Sequence, residues 1–202
     1  MKGDPMKLKN NVLKVDRELS RLDKIVLSFT EKLDEIGVKY VIISGYVAIL
    51  TGRSRGTEDI DIIIEKMNPD RLEKTAESLK DSGYWCLNSE VGKMYENLEG
   101  GTAIRFAENE TVVPNFKVSF PRDRFDKEAL KESLTAEINS KKINISPLEL
   151  QIAYKLYLGT EKDWEDALHL YELFKENINL EKLEDRAEKL KMGEELDELR
   201  RA

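Results

Sequence analysis

The chain has 202 residues, 40% hydrophobic and 36% charged, which suits one substantial core or a small α/β domain with a helical appendage. No apolar run approaches the roughly 20 residues needed to span a bilayer, and no apolar segment follows the lysines of the opening MKGDPMKLKNN, which predicts neither a membrane helix nor a secretory signal. The net charge of −7 argues against a large nucleic-acid footprint, and Cys86 as the single cysteine excludes an internal disulfide and predicts a cytoplasmic location. Gln151 is the single glutamine among abundant Glu and Lys, a composition like that of hyperthermophile proteins.

Near the N-terminus the apolar positions run Val12, Val15, Leu19, Leu22, Val26, Phe29, Leu33 and Ile36. Steps of three and four predict one long amphipathic helix. Such a face packs on a sheet or pairs in a homodimeric coiled coil, and a run of about three and a half heptads favours the first. Gly37 ends the helix. Residues 40–43 read as a short buried strand leading into a Ser44-Gly45 turn, and residues 46–50 as a second helix. The GRSRG loop that follows lacks the GxxxxGK[ST] pattern and is no P-loop. Next come Asp59, Ile60 and Asp61, with Ile62, Ile63 and Ile64 behind them. On a strand, residues two apart share a face, so both carboxylates project to one side. Acids held this close repel each other unless a cation lies between them, and hard oxygen ligands of this kind suit Mg²⁺.

A glycine turn, 13 residues (46–58) and Asp-Ile-Asp on a hydrophobic strand together resemble the signature of the DNA polymerase β-like nucleotidyltransferase superfamily. The wording GYVAILTGRSRGTEDIDIII is most similar to the minimal prokaryotic branch that includes AbiEii-type toxins. The resemblance implies an α/β fold, a nucleotidyltransferase-like mixed β-sheet flanked by helices and followed by a C-terminal helical region. It implies that Asp59 and Asp61 hold Mg²⁺ or Mn²⁺ and that the Ser44-Gly45 turn approaches the β/γ-phosphates. It also assigns Arg53, Arg55 and Thr57 to the nucleotide site. Ser44 departs from the pattern, standing where the usual pair begins with glycine.

Further along, Asn68-Pro69 reads as a helix start and Gly83 as its end. Strands are predicted at residues 84–87, 102–107, 116–120 and 142–145. Residues 90–101, with three glycines and little periodicity, read as a mobile loop. Ser146-Pro147-Leu148-Glu149 reads as a capping box, and all that follows as helix. The domain seam is therefore expected near Ile145, with an α/β domain over residues 1–145, including the N-terminal helix, and a helical region over residues 146–202.

Residues 148–170 resemble the last two motifs of the AbiEii-like branch. Lys155 matches the helix lysine, and Lys162, Asp163 and Asp166 match a K-D-x-x-D segment. The resemblance gives Lys155 to the nucleotide phosphates and Lys162 to the nucleotide site, and gives Asp163 and Asp166 a role in orienting lysine or substrate, with either aspartate as a candidate base. Taken alone, the same run reads as ordinary helix-surface charge pairs. The lone His169 lies among leucines and reads as a packing residue. Trp85, Trp164 and Tyr95 read the same way, the last two with the option of stacking on a base.

In many enzymes of the superfamily a third acid, on a later strand, completes the metal site. The strand NFKVSF at residues 115–120 offers only Asn115, Lys117 and Ser119 on the relevant side, with Asp123, Asp126 and Glu108 as substitutes nearby. The expected activity is transfer of an NMP from an NTP to an acceptor hydroxyl, with tRNA or a protein as acceptor and an antitoxin as partner if the toxin resemblance holds. The alternatives are a binding-only module of the same fold, with the N-terminal helix mediating assembly, and a small-molecule modifier of the antibiotic-nucleotidyltransferase kind.

Overall fold

A computed structural model describes residues 6–202; the first five, on which the reading of the leader partly rests, lie outside the described residues. Strands β1 (Met6–Lys9) and β2 (Val12–Val15) form a hairpin whose two turn residues, Asn10 and Asn11, have φ of 50° and 60°. Asparagine tolerates this left-handed region, and two such residues in a row give a turn whose twist matches paired strands. The helix predicted from Val12 therefore begins later. Helix α1 covers Arg21–Glu35 and is opened by a true capping box between Ser20 and Asp23. Leu13 and Val15, two residues apart, are buried together as in a strand, and the three-four spacing of Val12 and Val15 is a coincidence of sequence. Val26, Phe29 and Leu33 of α1 are buried in the chain's own core, so the face that would serve a coiled coil is already covered.

Strand β3 (Tyr40–Ile42), helix α2 (Gly45–Leu50) and strand β4 (Asp59–Ile64) fall where the sequence places them. Helix α3 (Pro69–Asp81) starts at Asn68, whose side chain accepts from the Arg71 N–H. Strand β5 (Tyr84–Cys86) is followed by a 3₁₀ turn (Val91–Lys93) and helix α4 (Met94–Glu99) in place of the expected loop. Buried Met94 and Leu98 tie this segment to the core. Then come β6 (Ile104–Glu108), β7 (Asn115–Ser119), α5 (Arg124–Lys131), β8 (Leu134–Ile138) and β9 (Lys141–Ile145). β8 was not predicted, although Leu134, Ala136 and Ile138 alternate as buried strand residues. The C-terminal stretch is helical: α6 (Leu148–Leu158), α7 (Glu161–Phe174), α8 (Leu180–Leu190) and α9 (Gly193–Arg201). α6 starts without the expected capping box, because the Ser146 N–H extends the sheet to the Ile42 carbonyl and Glu149 accepts instead from the Asn179 N–H.

Among the described residues all the strands join one mixed sheet in the order β1-β2-β8-β9-β3-β4-β7-β6-β5. β4 lies at its centre, antiparallel to β3 and parallel to β7. Ile60, Ile62 and Ile64 point into the main core, where Phe29 of α1 stacks on Phe116 of β7 with ring centroids 3.8 Å apart. Asp59, Asp61 and Ile63 point the other way. Ile63 is covered by a second apolar cluster with Val41, Ala129 of α5 and Leu150 of α6. That cover ends before the two acids, leaving them at the edge of a face whose other end is sealed. No helix among the described residues is long and apolar enough to cross a membrane.

Candidate active site

Strand register sets the chemistry around the two acids. Asp59 lies opposite Asn115 and Asp61 opposite Lys117 in the β4–β7 ladder, and Arg105 lies opposite Lys117 in the β6–β7 ladder. Because Phe116 and Val118 turn into the core, Lys117 must share the acids' face. Its Nζ lies 3.1 Å from Asp61 Oδ1. Arg105 Nη1 lies 3.2 Å from Asp59 Oδ2 and donates to Asn115 Oδ1 at 2.9 Å. Each acid thus has its own cation. Among the described residues no three His, Cys, Asp or Glu side chains gather as a metal cluster. Two carboxylates on one face nevertheless suit Mg²⁺, which is commonly held by one or two carboxylates with substrate phosphates completing the shell. Thr57 braces this strand end, its hydroxyl donating to the Asp59 carbonyl at 2.7 Å.

A second charge cluster lies behind the Ser44-Gly45 turn. Asp166 is fully buried and accepts from Arg53 and Arg55, with Lys155 Nζ at 2.9 Å. Lys155, only 3% exposed, also donates to Asp163 at 2.5 Å. Burial pushes the Asp163 carboxyl up, but hydrogen bonds from Lys155 and Thr160 outweigh it and hold the group below the usual carboxylate range. Arg53 reaches Glu165 and the Lys162 carbonyl as well. Arg55 rests on Gly45 so closely that a Cβ there would lie 2.9 Å from its guanidinium, which is the local reason for glycine.

Between the two clusters opens a cavity of about 290 Å³. Its floor is apolar or aromatic, with Ile43, Phe125, Leu150 and Tyr154 among the lining residues, and its polar wall carries Ser44, Asp61, Lys117, Arg122, Asp126 and Lys155. Asp126 is buried and accepts from the Arg122 N–H at 2.9 Å. Burial pushes its carboxyl up, and that hydrogen bond opposes the shift only in part.

No protein-family model and no curated protein sequence matches the chain. Solved structures do. An antigenic nucleotidyltransferase-like protein from Paracoccidioides brasiliensis superimposes with a TM-score of 0.56 at 19% identity, over 87% of this chain and 90% of that one. The fold is nucleotidyltransferase-like. The lincosamide antibiotic adenylyltransferase LnuA, in its lincomycin-bound form, matches with a TM-score of 0.51 at 17% identity over 78% of this chain and 100% of its own. The antibiotic-resistance factor ANT(2'')-Ia matches with a TM-score of 0.54 at 14% identity, over 89% and 97%.

Within this nucleotidyltransferase-like fold the sequence-derived residues separate into three groups. Asp59, Asp61 and Thr57 lie together at one strand end, and Ser44 and Lys155 line the cavity beside them. Arg53, Arg55, Asp163 and Asp166 lie near the turn but are engaged with one another and with Lys155. Lys162 does not join: its side chain is exposed and only its carbonyl takes part. The Ser44 N–H donates to Gln151, so the turn does not offer that group to a phosphate. Of the substitutes for a third acid, Glu108 falls on the opposite face with Phe106, and Asp123 is occupied in capping α5. Asp126 alone of these three lines the cavity. Trp85 is 41% exposed, against its reading as a packing residue. Trp164 and Tyr95 do pack on the core. No sequence motif marks Arg105, Gln151, Arg122, Phe125 or Tyr154. Arg105, between core-facing Ile104 and Phe106, was accessible from strand alternation alone.

Proposed function

We propose that the chain is a nucleotidyltransferase that moves an NMP from an NTP to an acceptor hydroxyl at the Asp59–Asp61 face. The observation that carries this reading is the pair of carboxylates on one strand face, Asp61 lining a cavity beside them, in a nucleotidyltransferase-like fold. Asp59 and Asp61 would hold Mg²⁺ or Mn²⁺; bound there, the ion neutralises phosphate charge. Lys155 is fixed beside the cavity by Asp163 and Asp166, and Arg55 is fixed against Gly45, so both act through position rather than mobility. Asp166 is fully buried among three cations, and Asp163 is held by Lys155 and Thr160, so neither serves as base. In the transfer the acceptor oxygen forms a bond to the α-phosphorus, the bond to the bridging oxygen breaks and pyrophosphate leaves. The acceptor proton passes to Asp126, the cavity carboxylate whose raised pKa makes it the better base.

The order of the motifs, from the Ser44-Gly45 turn through Asp-Ile-Asp to Lys155 and K-D-x-x-D, favours the toxin-like branch, with tRNA or protein as acceptor and an antitoxin as partner. The cavity favours a second reading, a small-molecule acceptor. Its charges are paired, Asp61 with Lys117 and Asp126 with Arg122, over an apolar floor, so a small hydroxylated compound fits better than a polycationic drug.

The test is transfer of label from each α-³²P NTP, with Mg²⁺ or Mn²⁺, to total tRNA, to cell-lysate protein or to a panel of hydroxylated small molecules. Transfer that vanishes in Asp59→Ala/Asp61→Ala supports the reading and identifies the acceptor class. Absence of transfer to every class, with nucleotide binding retained, would favour the binding-only module.

A further inference from the structure

Resting on the nucleotidyl-transfer reading, we propose that Lys117 stands in for a second metal ion, so that the site takes one divalent cation per chain. Asp61, Lys117 and Arg105 form one row across three adjacent strands, all on the same face. The position on β7 in register with Asp61 is held not by a carboxylate but by an ammonium 3.1 Å from Asp61 Oδ1. Two-metal sites hold their ions about 3.5–4 Å apart, which calls for ligands that bridge or flank both. Here two carboxylates face two built-in cations, a set already neutral before any metal arrives.

The two cations differ in how firmly they are held. Arg105 is braced by Asn115 Oδ1, so it stays beside Asp59. The two side chains are about equally exposed, but among the described residues the Lys117 ammonium contacts Asp61 alone. Asp59 and Asp61 would hold the ion, and Lys117, on the same face and released from Asp61, would be free to pair with a phosphate oxygen of the nucleotide. A lysine supplies one positive charge where a second divalent ion would bring two, and it is already in place on the strand. It cannot take a proton from the acceptor while charged, which is consistent with a base elsewhere in the cavity.

The test counts Mn²⁺ bound per chain by electron paramagnetic resonance, with a non-hydrolysable α,β-methylene NTP analogue present. The wild-type protein is expected to bind one ion, lost in Asp59→Ala/Asp61→Ala. Lys117→Asp is expected to raise the count to two, and Lys117→Met to keep one ion while weakening analogue binding about tenfold. If a second acid beside Asp61 prevents folding, Lys117→Asn adds an oxygen donor without the like charge and should also admit a second ion. Two ions in the wild type, or a count unchanged in both Lys117→Asp and Lys117→Asn, would overturn the inference and leave nucleotidyl transfer standing. No Mn²⁺ dependent on Asp59 and Asp61 would overturn the functional reading itself, and the inference with it.

Discussion

The side chain of Gln151 holds both backbone polar groups of Ser44. Its Oε1 accepts from the Ser44 N–H at 3.1 Å, and its Nε2 donates to the Ser44 carbonyl at 3.0 Å. Ser44 has a φ of 63°, a left-handed conformation that non-glycine residues seldom adopt, so the turn needs outside support. A residue 107 positions away in sequence supplies it, tying the start of α2 to α6.

Gln151→Ala should therefore destabilise the protein by about 1–3 kcal/mol, the range for leaving buried polar groups without partners. Gln151→Glu should not rescue it, since a carboxylate can accept from the Ser44 N–H but cannot donate to its carbonyl. Urea unfolding of the two variants checks this; a midpoint unchanged in Gln151→Ala would show that the turn holds its shape unaided.

Asp166 is fully buried and compensates Arg53, Arg55 and Lys155. Asp166→Asn should cost about 3–5 kcal/mol, because it leaves buried cations short of an anion. Asp163→Asn, at a partly exposed site with one lysine partner, should cost less. Thermal unfolding of both variants distinguishes them, and a smaller loss for Asp166→Asn than for Asp163→Asn would contradict the burial argument.

Asp126→Asn should lower kcat by about 10²–10⁴-fold with little change in nucleotide binding, if Asp126 is the base. Burial raises its pKa, so the base form of the wild-type enzyme appears only as pH climbs past the ordinary aspartate value of about 3.9. The acid limb of the kcat profile should reflect that raised value and be absent from the variant. The pH–rate profiles of both proteins provide the check.

His169 makes a clean pH probe because it is the single histidine. Burial lowers its pKa, with the Arg53 charge adding to the effect, while its contact with the Thr51 carbonyl and the Asp166 charge oppose it. Folding therefore favours the neutral ring. Its stabilising contribution is present above the unfolded value of about 6.5 and is lost as pH falls through the lower folded value. Wild-type protein should lose more stability than His169→Gln between about pH 8 and about pH 5. Urea midpoints at both pH values, with the one imidazole resonance followed by NMR, measure the difference; equal losses would contradict the shift.

The sequence by itself determined the faces. Strand alternation placed Asp59 and Asp61 together, and put Phe116 and Val118 in the core with Lys117 on the other side of its strand, because such periodicity reports local geometry that any neighbour must accept. It misread residues 12–15 because two valines continued a helical spacing across a hairpin turn that Asn10 and Asn11 alone announced. It took Asp163 and Asp166 as equivalent, since both fit one helix face. Tertiary structure decided the rest. Asp166 became the buried hub and Asp163 the rim residue because Arg53 and Arg55 arrive from a loop more than a hundred residues earlier. Gln151, noticed only for its rarity, became the clamp on Ser44 because α6 packs across that turn. Inter-strand register set Lys117 against Asp61 and Arg105 against Lys117, from where the Arg105 guanidinium reaches diagonally to Asp59. Register and long-range packing are relations between segments, and no local pattern in a single segment encodes them.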